Sequence, residues 1–180
     1  MQHHTLAPGD KPALGTLGPP RPAGRIPIND RVDPGPSALV SVNERGEPPL
    51  GKDRVFQLTP ATLDAFRALR ARAMATGFRE SLFVLTSAYR GAAYQASLAA
   101  GAVTKYGKGQ AATWVAQGRS EHITGRAIDL NLGIANTGEN AIAGKFNSMA
   151  AYIWLKKNAG DFGFNPYSTE PWHWSYNVKR

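Results

Sequence analysis

Four residues have the types and spacing to do chemistry together: His122, Asp129, Glu170 and His173. The chain has four histidines, and two of them, His3 and His4, stand at the extreme N-terminus, where ordering is least expected. Imidazole chemistry in a folded core therefore falls to His122 and His173. Cysteine is absent, which excludes disulfides, thiolate zinc sites, iron–sulfur clusters and a cysteine nucleophile. A metal must then be held by His, Asp and Glu. A catalytic zinc needs three such ligands and one open position, and His122, Asp129 and His173 supply that set.

Thr124-Gly125-Arg126 lies between the first two, and a glycine there lets the chain turn sharply, so that a loop histidine and a strand aspartate face one point. Glu170 stands just before His173, and Pro171 biases it towards an extended conformation. A carboxylate beside a metal can take a proton from a water whose pKa the ion has lowered, so Glu170 is the candidate general base. Arg90, in Ser87-Ala88-Tyr89-Arg90-Gly91 at the end of an apolar run, is the candidate cation for an oxyanion. Taken singly, each of these residues has a more ordinary structural reading: a hydrogen-bonded strand histidine, a surface carboxylate, an arginine paired with an acid.

The elements that must position these groups follow from pattern. Thr59-Pro60 predicts a helix start, with Thr59 as cap and Pro60 in the first turn. Leu63, Phe66, Leu69, Ala73 and Met74 form its apolar stripe, Arg67, Arg70 and Arg72 lie largely off it, and Gly77 closes it. Residues 81–87 read as a buried strand, 92–100 and 110–117 as two helices, and 127–132 as an alternating strand with Asp129 and Asn131 on one face. Residues 133–145 read as a loop forming a rim or lid. A second firm helix spans 146–158, with Met149, Ile153 and Trp154 as its stripe. Residues 172–178 alternate as a last strand, His173, Ser175 and Asn177 on one face and Trp172, Trp174, Tyr176 and Val178 on the other. Residues 38–42 and 54–58 fit a hairpin around a turn at 43–49.

A chain of 180 residues with 42% hydrophobic content suits one α+β or α/β domain. Residues 1–36 are dense in Pro and Gly and read as a flexible or wrapping leader, with the domain proper over 37–180. No apolar run is long enough to span a membrane, and Met1–Pro8 lacks the basic and apolar regions of a secretory signal. The net charge of +8 draws the surface to polyanions. Lys and Arg are scattered rather than gathered in a basic arm, which argues against nucleic acid, and neither a P-loop nor a dinucleotide fingerprint is present.

The stretch Ser120-x-His122-x-x-Gly125-x-Ala127-x-Asp129, followed by Glu170-x-Trp172-His173, resembles the signature of the VanY-like zinc D-alanyl-D-alanine carboxypeptidases, in the group that also holds lysostaphin and the sonic hedgehog domain. The resemblance extends to Ser87-x-Tyr89-Arg90 with Tyr94-Gln95 and to Asp161-Phe162-Gly163-Phe164, covering roughly 82–176. Trp174-Ser175-Tyr176 stands where the family often has an arginine and a tyrosine.

What the resemblance implies is a small antiparallel sheet flanked by helices, with one zinc ion in a groove. His122, Asp129 and His173 would be the ligands, Glu170 the base and Arg90 the group that polarises the scissile carbonyl. Ser120 and Gln95 would bind substrate, and Trp172 would support His173 from behind. The implied reaction is release of terminal D-alanine from peptidoglycan stem peptides by attack of a zinc-activated water. An L,D-carboxypeptidase, a peptidoglycan endopeptidase and a non-catalytic binding module on the same fold are the alternatives. A monomer acting in the periplasm or cell wall is expected. With no Sec signal in view, it would be made in the cytoplasm and released by lysis or a specialised secretion route, the leader serving as a delivery or docking segment.

Overall fold

The computed structural model describes residues 26–27, 32–42, 55–114 and 120–179. His3, His4, most of the proline-rich leader, the turn at 43–49 and residues 115–117 of the second expected helix after Arg90 lie outside the described residues. In chain order the elements are β1 (Ile26–Pro27), β2 (Val40–Ser41), β3 (Gln57–Leu58), α1 (Pro60–Ala75), β4 (Leu85–Ser87), α2 (Ala92–Trp114), β5 (Ala127–Leu130), α3 (Gly138–Ile142), α4 (Ala150–Asn158), β6 (Phe164–Pro166), β7 (His173–Tyr176) and β8 (Val178–Lys179), with 3-10 turns between several of them.

The centre is a four-stranded sheet in the order β4-β5-β7-β6, antiparallel throughout. This is the α+β arrangement the sequence leads one to expect. β2 and β3 pair antiparallel as the expected hairpin, and β1 runs parallel to β8, so part of the leader lies along the end of the chain. Register carries the functional consequence. Ser87 stands opposite Asp129, and Asp129 opposite His173, so these three form one row across three strands and share a face. Ile128 stands opposite Trp174 in the neighbouring row and faces the other way.

That other face is the hydrophobic core. Ile128, Leu130, Trp174 and Tyr176 pack there with Leu63, Phe66 and Leu69 of α1, Phe83, Leu155 and Phe164. Rings of Phe78, Phe83 and Trp154 meet at 5.6–5.8 Å in tilted and edge-on contacts, and Phe146 meets Trp172 at 5.5 Å.

Several elements differ from the pattern reading, each for a physical reason. Thr59 precedes α1 and Pro60 starts it, but the Thr59 hydroxyl pairs with that of Thr62 at 2.8 Å instead of capping a backbone N–H. Arg70 is buried rather than off the stripe: it stands one turn from Phe66, and its head group is neutralised by Glu80 while its stem packs. Residues 80–83 form a 3-10 turn, leaving only Leu85–Ser87 as strand; an apolar run does not by itself distinguish a strand from a buried turn.

The expected helix at 146–158 is broken by extended backbone at Met149, and α4 proper starts at Ala150. The buried face shifts accordingly to Ala151, Tyr152 and Leu155, while Ile153 is 54% exposed. Helical backbone runs from Ala92 to Trp114 with one break at Gly107, whose φ is 77°. The 133–145 loop contains α3, capped by the Thr137 hydroxyl accepting from the Asn140 N–H. β6 was not expected at all. Alternation in the last strand stops at Tyr176, because Asn177 adopts a left-handed conformation with φ of 50°.

Candidate metal centre

Three segments converge on the face of the sheet opposite the core: the exit of β4, the turn before β5, and the entry to β7. The turn is a 3-10 helix, Glu121–Thr124, ended by Gly125 at φ 65°. A side chain at Gly125 would meet Leu39 Cδ2 at 2.6 Å and the Thr59 amide nitrogen at 3.3 Å, so both the backbone conformation and the close approach of two segments require glycine. The Thr59 amide donates to the Gly125 carbonyl at 3.0 Å, tying the turn to the start of α1.

The β4 exit straddles the turn. The Arg90 amide donates to the His122 carbonyl at 3.2 Å, and His122 Nδ1 lies 2.7 Å from the Ala88 carbonyl. A carbonyl only accepts, so Nδ1 carries the proton and Nε2 presents a lone pair. Nε2 stands 3.2 Å from Asp129 Oδ2 and 3.2 Å from Arg90 Nη2. Burial lowers the pKa of His122 and outweighs the pull of Asp129, so the ring is held neutral.

His173 is oriented the other way round. Its Nδ1 faces Asp129 Oδ1 at 3.0 Å, and its Nε2 lies 3.1 Å from both Glu121 Oε2 and Ser175 Oγ. Burial opposes a charge on this ring, but hydrogen bonds to Asp129 and Glu121 prevail and raise its pKa to about 9. Burial also acts against ionised Asp129, yet its contacts in the cluster, the His173 hydrogen bond and charge among them, hold its carboxyl far below the usual range.

His122, Asp129 and His173 thus offer one donor atom each, all within 4.8 Å of one another, and all three are buried. The donors are a neutral imidazole, an ionised carboxylate and an imidazole whose inward nitrogen shares a proton with that carboxylate. They are the types that hold zinc, and each histidine has its far nitrogen occupied by an acceptor, as ring orientation at a metal requires.

The remaining expected residues are placed as follows. Glu170 accepts the His173 amide through its carbonyl at 2.8 Å, and its Oε2 lies 3.9 Å from His173 Nδ1. Burial raises the pKa of this carboxyl, and the His173 charge only partly offsets that. Arg90 is fixed by donating Nε–H to Ser87 Oγ at 2.9 Å and Nη2–H to Asp129 Oδ2 at 2.9 Å, which sets its guanidinium beside the donor cluster.

Trp172 is buried and its carbonyl accepts from the Leu130 amide at 3.0 Å, locking the β7 entry against β5. Ser120 immediately precedes the turn and is half-buried. Gln95 lies in the first turns of α2, with its amide donating to the Gly91 carbonyl at 3.0 Å. Its side-chain oxygen is buried with no partner among the described residues. Pattern reading did not single out Glu121. Its neighbour His122 and the placing of Ser175 on the His173 face were the only signals, and neither shows that Glu121 and Ser175 meet.

A buried His-Asp-His cluster on one face of a small antiparallel sheet, with a carboxylate and a guanidinium beside it, defines the class of metal-dependent hydrolases. Residues 55–179 match the family model for VanY, D-alanyl-D-alanine carboxypeptidase, and the chain belongs to that family. Among solved structures, the chain is similar to the LD-carboxypeptidase LdcB, at 26% identity and a TM-score of 0.65, over 81% of this chain and 70% of that one. It is also similar to the vancomycin-resistance D,D-pentapeptidase VanY of a VanB-type cassette, solved with Zn(II), at 27% identity and a TM-score of 0.52, over 69% of this chain and 75% of that one. A structure of VanYB with D-alanine-D-alanine matches at 25% identity and a TM-score of 0.51, over 73% and 82% of the two chains. No curated protein sequence matches the chain.

Proposed function

We propose that the protein is a zinc-dependent peptidoglycan carboxypeptidase that releases the terminal D-alanine of pentapeptide stems. The observation that carries this reading is the row Asp129–His173 with His122 beside it, buried and convergent, inside a region that matches the D-alanyl-D-alanine carboxypeptidase family. Zinc is supported by the cysteine-free donor set and by the Zn(II) complex of the similar VanY structure.

In this reading His122 Nε2, an Asp129 oxygen and His173 Nδ1 hold the ion. When bound there, zinc lowers the pKa of water and polarises a carbonyl oxygen. Glu170 takes the proton as water adds to the scissile carbonyl and delivers it to the departing amine of D-alanine. Its raised pKa, caused by burial, brings it closer to neutrality as a proton acceptor and donor. Arg90, held on Ser87 and Asp129, supplies fixed positive charge to the oxygen that becomes negative in the tetrahedral intermediate. Ser120 and Gln95 bind the stem peptide, Gln95 through the carboxamide that has a buried, unpartnered oxygen. The basic surface favours encounter with an anionic wall polymer, and the place of action is the periplasm or cell wall.

A second reading, cleavage of tetrapeptide stems at the L,D bond, is favoured by the likeness to LdcB over 81% of this chain. Purified muropeptides separate the two. Conversion of pentapeptide to tetrapeptide, with tetrapeptide left intact, is the expected result. Conversion of tetrapeptide to tripeptide would establish the L,D reading, and opened cross-links would show an endopeptidase. Loss of activity on chelation and its return with zinc tests the metal.

A further inference from the structure

The side chain that the mechanism above does not use is Glu121. It is a carboxylate only 4% exposed, and carboxylates are almost never so deeply buried without a partner that requires them. Its Oε2 accepts from Ser175 Oγ and stands 3.1 Å from His173 Nε2. Ser175 Oγ is itself 3.1 Å from that nitrogen, so the two groups clamp the outer edge of the ring. The inner edge, Nδ1, is the one that faces Asp129.

An imidazole that gives Nδ1 to a cation must carry its proton on Nε2 and must not rotate about χ2, and both conditions are set by what Nε2 touches. The two histidines are treated differently. His122 has a neutral acceptor, the Ala88 carbonyl, whereas His173 has an anionic one. A carboxylate acceptor makes the opposite nitrogen a stronger donor.

We propose that Glu121 is the positioning residue of the metal centre, fixing His173 in its Nε2–H form with Nδ1 turned to the ion, and that Ser175 fixes Glu121. One short turn would then supply the ligand His122 directly and orient the ligand His173 from behind. This rests on the reading of His122, Asp129 and His173 as the ligands.

The test uses the full chain and the variants Glu121→Ala, Glu121→Gln and Ser175→Ala. Zinc dissociation constants are measured by competition with a chromophoric chelator, and the His173 ring is followed by 15N NMR in zinc-loaded protein. Glu121→Ala should weaken zinc binding by about 10- to 100-fold. Glu121→Gln, which keeps an acceptor but loses the charge, should fall between alanine and wild type, and Ser175→Ala should have the smallest effect. In wild type the proton should sit on Nε2 and exchange slowly; in Glu121→Ala its signal should be lost to exchange.

Zinc constants for both Glu121 variants within twofold of wild type, in folded protein, would overturn the role of Glu121 and leave the ligand set standing. So would weaker binding with the Nε2–H signal unchanged, which marks a merely structural loss. A wild-type chain that binds no zinc would overturn the ligand set and this inference together. Should Glu121→Ala fail to fold, the glutamine variant carries the same comparison.

Discussion

Ile128 and Asp129 are neighbours on β5, at 0% and 5% exposure, and point to opposite sides of the sheet. Ile128 stands opposite Trp174 in a core of Leu, Phe and aromatic rings; Asp129 stands opposite His173 in a cluster of charged groups. The two faces are equally dry and are held by different physics. On the Ile128 side, stability comes from area removed from water and from many small dispersion contacts, which tolerate changes that preserve volume. On the Asp129 side each polar atom is buried only because a named partner meets it. Removing one partner leaves the others with an uncompensated desolvation cost. Burial alone therefore says nothing about which face is chemical.

The comparison breaks most visibly at Asp129→Ala. It leaves Arg90, His122 and His173 without their shared carboxylate, and a loss of about 3–5 kcal/mol by denaturant titration is expected, together with loss of stoichiometric zinc. Glu170→Ala should keep zinc and fold while lowering kcat by about 10²- to 10⁴-fold in muropeptide assays. Unchanged turnover would remove Glu170 from the mechanism. Arg90→Ala should lower kcat by about 10²- to 10³-fold with zinc retained. If instead only stability fell, its sole role would be to pair with Asp129.

A pH titration sharpens the contrast without mutation. In metal-free protein the folded pKa of His173, about 9, lies above its ordinary value of 6.5. Its contribution to stability is therefore complete below pH 6.5 and is lost as pH rises through about 9. His122, whose pKa is lowered, adds a slope of the opposite sign near its ordinary value of 6.5, where the unfolded ring still binds protons, and none well above it. The unfolding free energy of chelator-treated protein, by denaturant titration, should fall between about pH 7.5 and 9.5, by on the order of 3 kcal/mol at most, and the fall should vanish in zinc-loaded protein. A flat profile in the metal-free form would contradict the His173–Asp129–Glu121 network. The smallest effect belongs to the other face: Ile128→Val should cost about 0.5–1.5 kcal/mol and leave zinc affinity unchanged.

Much of the scaffold was legible because it depends on local pattern. α1 follows from Thr59-Pro60 and the 63–66–69–73 stripe, and its length is set by Gly77. The regions that misled are those where two local states share one pattern. Residues 81–83 are apolar enough for a strand and form a turn, and a methionine, Met149, interrupts what reads as one helix. Arg70 reads as a surface residue until Glu80 is brought to it.

The sequence by itself determined which imidazoles a core could use, since absent cysteine and scarce histidine left His122 and His173, and it determined the glycine turn that sets His122 beside β5. Tertiary structure alone decided three further things: the register that puts Asp129 opposite His173, the opposite nitrogens the two rings turn inward, and the meeting of Glu121 with Ser175. The physical reason is that residue type fixes what a group can bind, whereas strand register and hydrogen-bond direction fix which of its atoms is free to do so.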